Sequence, residues 1–168
     1  MIDDVEFCRF DCHRSVSEIG MSDKIRIRNY GPLGIGTSEL DGGILTVPKF
    51  SFFIGDQGTG KSTVAKLIST LSWTEKAMAR KAIEPKSLSF ERLSGLLLNQ
   101  NLPKEYITDA TEIEFCGKAY TISLSDKTVK VIASGNSSDY LCPKIMYYPS
   151  ERNIISVMDN PMGSQRAS

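Results

Sequence analysis

Residues 51–73 read SFFIGDQGTGKSTVAKLISTLSW, and the fold turns on how they are interpreted. Within them, Gly55-Asp56-Gln57-Gly58-Thr59-Gly60-Lys61-Ser62 satisfies the phosphate-loop pattern GxxxxGK[ST] at every specified position. The residue types follow from the chemistry of holding a polyanion. Glycines at 55, 58 and 60 allow backbone conformations that a Cβ forbids, so consecutive N–H groups can turn inward around phosphate oxygens. A helix that opens in the loop adds its partly positive end. Lys61 brings a point charge to the β- and γ-phosphates, and the Ser62 hydroxyl is a magnesium ligand. Thr63 adds a phosphate contact through its backbone and hydroxyl. The candidate cofactor-binding residues are therefore Gly55, Gln57, Gly58, Thr59, Gly60, Lys61, Ser62 and Thr63, with Ser62 also the metal ligand and ATP with Mg2+ the expected cofactors.

Working outward, SFFI (51–54) suits a buried strand feeding the loop. After the loop, Val64, Leu67, Ile68 and Leu71 keep the i, i+3, i+4, i+7 spacing of one buried helical stripe. This predicts a helix from Lys61 to Ala82. Glu75, Lys76, Arg80 and Lys81 read as its polar continuation, and Pro85 ends or kinks it. A second helix is predicted around Ser89–Leu98, with LSGLL (93–97) as its buried face.

Strand patterns lie on both sides. KIRIRNY (24–30) alternates basic and apolar residues, GPLG (31–34) is turn chemistry, and a second extended piece is expected at 36–40. Asp41-Gly42-Gly43 ends that piece, and ILTVPKFSFFI (44–54) runs up to the loop. TEIEFCGKAYTISLS (111–125) reads as a hairpin turning at Cys116-Gly117-Lys118, KTVKVIA (127–133) as a third strand, GNSSD (135–139) as a loop and KIMYY (144–148) as another strand. Residues 1–22 lack periodicity and read as a loosely ordered extension, and 158–168 as an irregular tail. A partial domain is expected over 23–157. Its class is α/β, with a mixed or antiparallel sheet packed on the phosphate-loop helix.

Composition sets the outer limits. The 168 residues suffice for about one domain. Twenty basic and twenty acidic residues balance, so diffuse attraction to nucleic acid or anionic lipid is not expected. No apolar run approaches the roughly 18 residues of a membrane span, and the acidic start MIDDVEF does not resemble a signal peptide. A cytoplasmic location is the expectation. Irregularly spaced Cys8, Cys12, Cys116 and Cys142 read as thiols, and Cys8, Cys12 and His13 lack a fourth partner for zinc.

The residues also resemble a family. Ile27-Arg28-Asn29-Tyr30-Gly31-Pro32 is similar to the opening strand "I-x-N-[FY]-G-P" of SMC/RecF/OLD-type ABC ATPases, AAA-family P-loop proteins in which a loop Gln such as Gln57 is frequent. YYPSERNIIS (147–156) resembles their "Y-[IL]-P-[AS]-[ED]-R" segment. The resemblance implies a P-loop NTPase lobe of the ABC/SMC-head kind that sandwiches ATP against a second subunit, either in a homodimer or with a separate ATPase lobe. It further implies Arg28 and Asn29 on the adenine side and Arg152 near the γ-phosphate or the lobe interface. The signature motif, Walker B carboxylates and switch histidine of that family are not found in these 168 residues, where Pro149 and Ser150 stand in place of an acidic pair. Hydrolysis is accordingly expected to depend on segments beyond this sequence, as in a truncated N-terminal lobe. A compact small-molecule kinase and a non-catalytic interaction remnant are the alternatives.

Overall fold

A computed structural model describes residues 23–33, 43–48, 51–54, 57–134, 140 and 143–145. Expectations for the 1–22 extension, the 36–40 strand, the 135–139 loop, Gly55, Cys142, Arg152 and the 158–168 tail fall outside these residues.

Alternation in KIRIRNY yields strand β1 (Asp23–Tyr30), which buries Ile25, Ile27 and Tyr30 on one face. The short strand β2 (Ile44–Val47) pairs with it antiparallel, Ile25 opposite Leu45. On its other side β1 meets β3 (Ile107–Cys116), which turns into β4 (Tyr120–Ser125) and then β5 (Thr128–Ala133). Among the described residues the sheet has five strands in the order β2-β1-β3-β4-β5, and every pairing is antiparallel. The hairpin and the third strand predicted for 111–125 and 127–133 are present. A two-residue turn at Asp126 and Lys127, both at positive φ, joins β4 to β5.

One face of this sheet carries the core. Ile25, Ile27, Ile113, Phe115, Ile122 and Leu124 pack against helices α1 (Lys61–Ala79) and α2 (Phe90–Leu98). From α1 come Val64, Leu67, Leu71 and Met78, and from α2 Leu93 and Leu97. The stripe read from the sequence is therefore buried, with Ile68 at its margin. The opposite face is polar and laced across strands by Arg28–Glu112 at 3.3 Å and Arg26–Glu114 at 3.8 Å.

Four expectations need correction. The α1 helix ends at Ala79, not Ala82, because Lys81 adopts a left-handed φ of 60°. Its N–H and that of Ala82 then close onto the Met78 and Ala77 carbonyls, a Schellman ending without the usual glycine. Glu75, assigned to the polar continuation, is only 1% exposed. The SFFI run is not a buried strand: 51–54 carries no regular structure, and Phe52 and Ile54 are 87% and 95% exposed. A strand apolar on both faces needs a neighbour on each edge and a layer over each face, and no described strand flanks this one. Of the strand expected at 144–148, Lys144 and Ile145 carry no strand, and residues 146–148 lie outside the described residues. Among the described residues, no helix is long and apolar enough to cross a membrane.

Candidate phosphate-binding site

Gln57, Gly58 and Thr59 are exposed, and Gly60 caps the start of α1. Gly58 has φ +84° and Gly60 φ +81°, the left-handed region that a Cβ disfavours. The two glycines serve different purposes. A Cβ on Gly58 would meet nothing within 4 Å, which leaves that side of the loop open. A Cβ on Gly60 would run into the Leu33 side chain, with Pro32 Cγ at 3.7 Å.

The α1 start has no side-chain cap and no acidic residue in its first turn. Its first internal bond runs from Val64 N–H to the Gly60 carbonyl at 2.9 Å. A helix end of this kind, preceded by left-handed glycines, presents backbone donors and a partial positive charge to an anion. Lys61 stands at the first helical position, and its Nζ donates to Thr59 Oγ1 at 3.2 Å, so the ammonium lies over the loop. Ser62 is exposed and Thr63 is buried. The site residues predicted from 57 to 63 are thus brought together at one helix terminus, and Gly55 lies outside the described residues.

Arg28 and Asn29 sit at the end of β1, where β3 occupies their side chains. Arg28 bonds Glu112, and Asn29 Nδ2 donates to the Ala110 carbonyl at 2.9 Å. Asn29 has φ +50° at a register shift between Arg28 and Tyr30, and its carbonyl accepts from Thr111 Oγ1 at 2.6 Å. Both residues hold the β1–β3 irregularity together.

The start of α1 thus combines a left-handed Gly58 open on one side, a helix end with no side-chain cap, Lys61 bonded to Thr59 and an exposed Ser62. Among the described residues, no group of three His, Cys, Asp or Glu gathers as a metal site, so the magnesium reading rests on Ser62.

Sequence reasoning missed Leu33 and Glu75. The only sequence signal for Leu33 was an apolar residue inside a Gly-Pro turn. Glu75 had a positional signal, standing four residues after Leu71 on the buried stripe, but its charge led it to be assigned to the polar continuation.

No family model, curated protein or solved structure matches this chain.

Proposed function

We propose that this chain binds a nucleoside triphosphate with magnesium through residues 55–63, as the N-terminal lobe of an ABC/SMC-like P-loop ATPase. The observation that supports the reading most is the pair of left-handed glycines, Gly58 and Gly60, leading into a helix headed by Lys61. In this reading the loop amides from Gln57 to Ser62 hold the β-phosphate, Lys61 leaves Thr59 for the β- and γ-oxygens, and Ser62 contributes one oxygen to the metal. Magnesium held there by Ser62 would neutralise phosphate charge. A base position beside Arg28 and Asn29 follows from the family resemblance alone, and would require both side chains to leave their β3 partners.

Among the described residues the sheet is antiparallel throughout and no strand leads into the loop, so support for the lobe comes from the loop and the helix start rather than from the sheet. A separate lobe would supply the signature and acidic residues, which a second copy of these 168 residues would not bring, so the chain alone is expected to bind ATP without turning it over. A kinase reading gains nothing from β3–β5, an antiparallel meander.

The test is a thermal-shift titration with Mg-ATP on the native chain and on Lys61→Ala. Binding to the folded state should raise the native Tm with rising ligand, by about 2.7 kcal/mol of stability at a hundredfold excess over Kd. Lys61→Ala should lose most of that response. Ser62→Ala should lose the part that magnesium adds and keep the part seen without it. Equal responses from native and Lys61→Ala chains would sink the reading.

A further inference from the structure

We infer that Leu33 is a positioning residue for the phosphate loop, acting on the conformation of Gly60 from behind. The inference builds on the nucleotide-binding reading above and assigns that site a support from a different part of the chain.

The turn that carries Leu33 is held at several points. Tyr30 and Leu33 exchange backbone bonds of 3.0 and 2.9 Å, closing a narrow bridge at the end of β1. Gly31 sits at φ +50°, donates to the Tyr106 carbonyl at 3.1 Å, and lies so near the Tyr106 ring that a Cβ there would overlap it. The Tyr106 ring in turn meets Tyr30 edge-on, with centroids 5.7 Å apart. The sheet end, the ring and the bridge together fix where Pro32 and Leu33 emerge. Leu33 emerges against Gly60 and is 7% exposed.

Gly60 needs such a support. A glycine pays little steric penalty for leaving φ +81°, so its own backbone does not hold that conformation. Leu33 occupies the space a Cβ would take, so Gly60 and Leu33 pack directly against each other. Gly60 also carries the carbonyl that accepts the first α1 bond, so its rotation would disturb both the loop amides and the helix start. Gly58, open on its corresponding side, is left for the ligand. The two glycines thus divide the loop into a supported side and a binding side.

The experiment uses the full chain and four forms: native, Leu33→Ala, Leu33→Met and Leu88→Ala. Leu88 is a comparably buried core leucine at 4% exposure, outside the loop and the turn, and controls for general loss of packing. Two quantities are read at a temperature where all four are folded. One is the affinity for a fluorescent ATP analogue with magnesium. The other, without nucleotide, is amide hydrogen exchange across residues 57–64.

Leu33→Ala is expected to weaken analogue binding by about tenfold or more, a usual consequence of loosening a site's supporting residues, and to speed exchange in the loop. Leu33→Met should restore both, and Leu88→Ala should leave both close to native. The inference is overturned if Leu33→Ala matches native in both readouts, or if Leu88→Ala loses as much as Leu33→Ala. Should the native chain fail to bind the analogue while Leu33→Ala still speeds loop exchange, the positioning role stands and the nucleotide reading falls.

Discussion

The phenol of Tyr30 is fully buried at the end of β1, and its oxygen has no hydrogen-bond partner among the described residues. Burial pushes its ionisation well above the ordinary tyrosine range, and nearby Tyr106 adds to the shift. A group whose folded-state pKa is raised contributes its stability below the unfolded value and loses it as pH rises. For tyrosine that loss begins near pH ~10, where the unfolded chain starts to ionise and the folded chain does not. Removing the hydroxyl takes away both this liability and an unsatisfied buried polar atom. Tyr30→Phe should therefore be neutral to stabilising, by up to about 1 kcal/mol at neutral pH. Its denaturation midpoint should also fall less steeply than the native one above pH ~10. Urea denaturation at the two pH values reads both, and a clear destabilisation at neutral pH would mean the hydroxyl has a partner. Leu33 and Gly60 make a related point at the same scale. The glycine-rich turn before α1 was legible in the sequence because its pattern is local, whereas the contact behind it was not, because Leu33 belongs to a distant turn.

The helix and the sheet are tied together by a carboxylate whose burial runs against its charge. Glu75 on α1 accepts from Ala119 N–H at 2.6 Å and Tyr120 N–H at 3.1 Å, and its second oxygen accepts from the Tyr140 hydroxyl at 3.3 Å. It thereby satisfies the β3–β4 turn, while Gly117 leaves it room, since a Cβ there would overlap the carboxylate. Glu75→Ala should cost about 3 kcal/mol, because two turn amides lose a charged acceptor. Gly117→Ala should cost about 1–2 kcal/mol by displacing that carboxylate. Because they act on one contact, the double variant should cost clearly less than the sum of the two, which denaturation of the four forms measures. Additive losses would show that Gly117 matters for some other reason. Strands were readable where alternation is strong, as in KIRIRNY and TEIEF. The α1 ending was not, because Lys81 stands where a Schellman ending usually has glycine. Lys81→Gly should accordingly stabilise by about 1 kcal/mol, read as a raised denaturation midpoint, and a lowered midpoint would contradict the strain argument.

At the scale of the whole molecule, the run before the loop is the place where sequence and structure diverge most. SFFI has the composition of a strand buried from both sides, yet only Phe53 packs against the core, while Phe52 and Ile54 stand 87% and 95% exposed. Composition reports that these side chains should be covered, but it does not say by what, and the described sheet ends on that side at the short β2. Two neighbouring large apolar side chains in water favour self-association and the binding of apolar dyes. The chain should accordingly bind an anilinonaphthalene dye and show concentration-dependent association in light scattering. The double variant Phe52→Ser with Ile54→Thr should lower both signals. Because those side chains bury little in the isolated chain, its stability should stay within about 0.5 kcal/mol of native. Dye binding and association unchanged in the variant would place the sticky surface elsewhere, with half-exposed Trp73 on α1 the next to substitute. A large loss of stability would instead mean that Phe52 and Ile54 are already covered in solution, and that the lone chain carries no open flank beside its glycine-rich loop.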